Sequence, residues 1–153
     1  MNAFNFLLAV WAGAMVPLQA AVNARLARAV GGPIWAASIS ALIVALVLAV
    51  VAATSAKSAP RLDAVSTVPW WAWSGGFCGA VVLSGTTVVA PRIGAASMVA
   101  LVMTGQVLAA MVIDGAGWFG MAAQPIGLQR ILAATCLILG AALMNISFKD
   151  SLI

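Results

Sequence analysis

All the charge in this 153-residue chain resides in seven basic and three acidic side chains, and their positions leave uncharged stretches at 1–24, 29–56, 64–91, 93–113 and 131–148. A charge at the bilayer centre costs roughly 2.5–3.5 kcal/mol on insertion scales, and a helical span needs about 20 predominantly apolar residues. Each interval is therefore long enough for one span. Charged residues amount to 7% of the chain and hydrophobic ones to 65%, against about 25% charged in a soluble domain. Such a chain cannot build a water-facing surface. The expected fold is all-α, a polytopic membrane protein forming a single five-helix transmembrane domain over 1–153, with helices near 3–24, 33–54, 69–90, 94–113 and 128–147.

The remaining uncharged segment, 115–129, reads GAGWFGMAAQPIGLQ, and its glycines and proline suit a loop or re-entrant turn better than a helix. The N-terminal apolar run lacks the basic n-region of a cleaved signal, because no charged side chain precedes Arg25. It reads as a retained span. Cys78 and Cys136 both fall within expected helices, where a small buried apolar side chain is the simpler reading than a disulfide or metal site. The net charge of +4 suggests loops meeting anionic headgroups rather than nucleic acid.

Five spans put the termini on opposite sides, so the loop cations can be assigned to two faces. One face has Lys57, Arg61 and Arg130; the other has Arg25, Arg28, Arg92 and Lys149. The usual excess of loop cations on the cytoplasmic face is missing. A balanced chain with an odd number of spans can insert both ways up, and two opposite copies then form a ten-helix pair with inverted halves, a layout common among secondary transporters. Alternatively, a weak bias or a partner fixes one orientation.

Polar residues inside the spans mark candidate sites. In the first span, AVWAGAMVPLQAAVNARLAR, Pro17 removes a backbone donor and leaves the Gly13 carbonyl without its usual partner. Gln19 and Asn23, four apart, place two amides on one face just beyond that break. These amides either bond to neighbouring helices, worth about 0.6 kcal/mol on average, or line a substrate path. In the second span Ala37, Ser40, Ala41 and Ala45 offer a small-residue packing stripe. The third opens PWWAWSGGFCGA; Trp70, Trp71 and Trp73 suit an interfacial anchor better than a cation cage. Gly75, Gly76 and Gly79 form a small-residue surface for helix packing.

The turn VVAPRIGAA joins spans three and four, with Pro91 and Gly94 expected to break the helices. Gln106 lies in mid-span beside Gly105, which leaves room for a helix or ligand to approach. Asp114 sits at the disfavoured negative end of the fourth helix and should seek a cation, with Arg130 the obvious candidate. The pair is either a structural ion pair or part of proton coupling.

Together VPLQAAVNARLA, PWWAWSGGFCGA, APRIGAA, a mid-span TGQ, the acidic end of the fourth span followed by WFG, and Pro125 five residues before Arg130 resemble the YdcZ-like inner-membrane transporters, small five-helix members of the drug/metabolite transporter superfamily. The resemblance runs from about residue 10 to residue 145. It implies a multi-pass protein of the bacterial inner membrane, antiparallel pairing with a second inverted copy, and a role in transport. Two departures stand out: Asp114 is followed by GAGWFG, without the histidine often found there, and the second span has alanines where a glycine is more usual.

The leading expectation is a dual-topology secondary transporter working by alternating access, its substrate pathway lined by Pro17, Gln19, Asn23 and Gln106. The chain contains no Glu, so a cation-for-proton exchange through a buried glutamate is disfavoured. A small neutral, zwitterionic or anionic solute fits better. A dual-topology ion channel and a non-transporting membrane subunit are the alternatives. Without His or Glu, and with isolated thiols, no acid–base or nucleophile constellation can be assembled, which argues against an enzyme. No cofactor or metal is expected.

Overall fold

The structure, a computed structural model, describes residues 3–55 and 63–150, apart from the side chains of 63–64 and 147–150. It is all-helical, with α1 (Ala3–Val30), α2 (Pro33–Ser55), α3 (Ser74–Ile93), α4 (Ala95–Ala116) and α5 (Leu128–Asp150), and short 3₁₀ turns at Asp63–Thr67, Trp70–Trp73 and Trp118–Gly120. Among the described residues five helices, the third counted from Trp70, are long and apolar enough to cross a membrane. Lys57, Arg61 and the side chain of Lys149, three of the cations used in the loop count, lie outside what is described.

Several helix ends differ from the sequence expectation: the α-helix of the third span starts only at Ser74, α4 runs to Ala116 and α5 to Asp150, and the ends of α1 and α3 differ for a local reason. α1 continues past residue 24 to Val30, carrying exposed Arg25 and Arg28. Long basic side chains reach the headgroups without ending a helix. What ends it is a glycine pair: Gly31 has φ +87°, and the Gly32 N–H donates to the Ala27 carbonyl at 2.9 Å, closing the last turn. Pro33 then opens α2, where its missing donor costs nothing. At the other turn, α3 runs through Pro91 to Ile93. Pro91 does not break it, because in the last turn it removes one bond while Gly94 N–H still reaches the Ala90 carbonyl at 3.0 Å. Gly94 alone separates α3 from α4, with φ +83°, a conformation that L side chains rarely adopt.

The chain forms two compact units. The first comprises Met1–Pro17 and Ala90–Ile153, and is organised around the antiparallel hairpin of α4 and α5. Ser97, Met98, Ala134 and Ala141 are buried in it. The two alanines are seven apart on α5 and leave space for Met98, and the Ser97 hydroxyl donates to the Met144 carbonyl at 3.5 Å. The second unit, Leu18–Val89, holds the rest of α1, α2 and most of α3. Ala20, Asn23, Ala36, Ala37, Thr86 and Thr87 are buried in it. The threonine hydroxyls bond one turn back, to the Val82 and Leu83 carbonyls at 2.8 and 2.7 Å, so their polarity is satisfied within α3.

Of the small residues expected to pack on α2, Ala37 is buried and Ser40 half-buried, whereas Ala41 and Ala45 are exposed. Gly75, Gly76 and Gly79 have no atom within 4 Å of where a Cβ would stand. Each therefore has room for a close neighbour. The described hydrophobic side chains that are buried are six alanines and Met98. Leu, Val, Phe and Trp point outward instead, as they can where the solvent is hydrocarbon and packing rests on small residues. The same reasoning explains why Cys78 and Cys136 are exposed rather than buried: a thiol facing lipid carries little penalty. Trp70, 85% exposed, lies at the end of the third span, where an amphipathic ring anchors to headgroups.

Candidate functional site

The first half of α1 and the middle of α4 enclose a cleft of about 500 Å³ within the first unit. α1 contributes Asn5, Phe6, Ala9, Val10, Gly13 and Val16, and α4 contributes Val99, Val102, Met103 and Gln106. Both sets recur at three- and four-residue spacing, so each is a single helix face. Asn5 and Gln106 are both among the lining residues. Two neutral amides thus share an otherwise apolar chamber. Pro17, one turn beyond Gly13, cannot donate to the Gly13 carbonyl, and Gly13 has no side chain to cover it.

Beside the cleft, still within the first unit, a groove of about 720 Å³ follows the seam between α4 and α5. Small and apolar residues form its walls: Ala95, Ala96, Val99, Ala100 and Met103 from α4, and Cys136, Leu137, Gly140, Ala141 and Met144 from α5, with Pro17 from α1. Val99 and Met103 line both cavities. They are shared by an amide-bearing chamber and a wholly apolar one.

The four residues expected along a substrate path are placed differently from one another. Gln106 lines the cleft and Pro17 the groove. Gln19 is exposed on the helix surface and Asn23 is only 3% exposed, so two amides four residues apart have different surroundings. The buried stripe of α1 runs through Ala20, Asn23 and half-buried Ala27, and Gln19 is not part of it. The Nδ2 of Asn23 is buried with no hydrogen-bond partner, a condition that costs about 1–3 kcal/mol. Asn5, which the sequence reading passes over, owes its place to standing eight residues before Gly13, on the same helix face.

Asp114 and Arg130 meet across the loop after α4. Arg130 Nη1 donates to the Asp114 carboxylate at 3.3 Å, and Nη2 donates to the side-chain oxygen of Gln124. Gln124 N–H donates to the Asp114 carbonyl at 2.9 Å, so the loop folds back onto the helix end. Gly117 makes this possible: its φ is +63°, and a Cβ there would stand 3.1 Å from that of Ala123. The ion pair is about one-third exposed on each side, a setting in which such pairs contribute roughly 0–1 kcal/mol. It fastens a loop outside the two cavities.

A family model described as "Putative inner membrane exporter, YdcZ" matches residues 4–143 of the chain. No curated protein and no solved structure matches it.

Proposed function

The chain belongs to this YdcZ family, a multi-pass inner-membrane family of exporters rather than enzymes, and on that premise we propose that it is a small secondary transporter moving a neutral, zwitterionic or anionic solute through the α1–α4 cleft by alternating access. The observation that carries the reading is the cleft itself: two amides in an apolar chamber, with no ionisable side chain among its lining residues. Amides both donate and accept, and so hold an uncharged polar group in either sense. Neither a lipophilic cation nor an anion would find a counter-charge there, so of these solute classes the neutral one fits the cleft best.

The working unit in this proposal is an antiparallel pair of copies. Supporting it are the balanced loop cations, the exposed Gln19 amide, and the open glycine surface of α3, which together present polar and small residues outward from one chain. Asn23 joins the path in the state that opens its face and gives its unpartnered Nδ2 a solute or water to bond. Asp114 and Arg130 hold the loop after α4 rather than relay protons.

Two measurements test this. Cytoplasmic and periplasmic reporters fused in turn to the C-terminus should both be active; activity from one alone sinks the inverted pair. Purified protein in liposomes should give saturable flux of a neutral, zwitterionic or anionic solute, reduced in Gln106→Leu. Proton-driven movement of lipophilic cations, or a conductance beyond the microsecond-to-millisecond steps of alternating access, would overturn it.

A further inference from the structure

The cleft and the groove are adjacent chambers of opposite chemistry. One has Asn5 and Gln106; the other has no hydrogen-bonding side chain apart from the weak Cys136 thiol. Both fall in the range of about 300–1,000 Å³ typical of ligand pockets. Val99 and Met103 line both, and the unbranched thioether of Met103 can move aside to join them. From this we infer that the solute is amphipathic: an uncharged polar head held in the cleft, and an aliphatic tail laid along the α4–α5 groove, entered from the bilayer. The inference rests on reading the cleft as the solute site.

The argument for a solute tail, over a membrane lipid or a second copy, is this continuity with the amide chamber. A lipid chain or a packed helix needs an apolar groove but not an amide pair in the adjoining cavity. The floor of the groove also suits a slender chain, since Ala96, Ala100 and Gly140 keep it shallow-walled and unbranched. The head is limited to groups that bond to amides without charge, such as amides, hydroxyls or esters.

The chain carries its own reporters. Cys136 lines the groove, whereas Cys78 is an exposed thiol in the other unit. The full chain in phosphatidylcholine liposomes is treated with a membrane-permeant maleimide in the presence of acetamide, hexanamide, decanamide or decane, and the two alkylation rates are compared. Hexanamide and decanamide should slow Cys136 while sparing Cys78, with affinity, referred to the free aqueous concentration, rising about three- to fourfold for each added methylene. Gln106→Leu should weaken binding of radiolabelled hexanamide about tenfold through loss of the head contact.

Gln106-dependent hexanamide binding that leaves Cys136 reactive overturns the tail site while the reading of the cleft stands. Hexanamide binding unaffected by Gln106→Leu removes the cleft and this inference together. Protection by decane equal to that by decanamide would make the groove a lipid seat. Oxidative Cys136–Cys136 cross-linking between copies, with protection before any additive, would make it an interface. Either result ends the proposal.

Discussion

Gln106 and Asn23 are the same functional group in two settings. In the first unit Gln106 stands in a cleft, free to bond whatever enters; in the second, Asn23 is sealed between helices with an unpartnered Nδ2. An amide that lines a cavity costs little in the empty state and supplies its bond when occupied. A sealed one destabilises the very state that buries it. In the proposed transporter the first setting would select a solute, and the second would bias the conformational equilibrium.

The sharpest way to break this contrast is to fill the cleft. Gly13 has open space where a side chain would project, so Gly13→Leu should fit the fold yet occupy the chamber, cutting flux about ten- to hundredfold at an overpacking cost of about 1–3 kcal/mol to solute binding. Unchanged liposome flux would place the path elsewhere. Gln106→Leu comes next: flux should fall about tenfold at low solute, as loss of one hydrogen bond allows. Its unfolding midpoint in denaturant should stay in place, since the side chain is exposed.

Asn23→Leu should do the reverse. Removing a buried orphan donor should raise stability by about 1 kcal/mol, and the same bias, about fivefold in population, should slow transport by favouring the closed face. A loss of stability in that variant would mean that the amide is satisfied after all and the contrast is false. Smallest is Arg130→Gln, which should change stability by no more than about 1 kcal/mol and flux by less than threefold. A larger effect on flux than on stability would draw the Asp114 pair into coupling.

How much of this was legible beforehand can be judged from particular residues. Gln106 was conspicuous in sequence as the one amide of its span, and the structure puts it in a cavity. Asn5 was not, because an amide near the start of an apolar run looks like an ordinary end residue; only the opposing face of α4 makes it part of a chamber. Gln19 and Asn23 share a helix face by spacing, but which of them is covered depends on what packs against α1. The glycines of the α1–α2 turn announced that turn correctly, while Pro91 suggested a break that Gly94 supplies instead.

What the sequence determined by itself is the solvent and the number of crossings. The cost of charge in hydrocarbon is local and large, so ten charged positions suffice to partition the chain into spans. What only the tertiary structure decided is which polar groups face a cavity and which are sealed. That depends on how faces of helices distant in sequence meet, through the close approach of small residues such as Ala134 and Ala141 and the short α3–α4 turn at Gly94. Packing between apolar helices in lipid follows shape rather than hydrophobicity, and shape is not written in any one span.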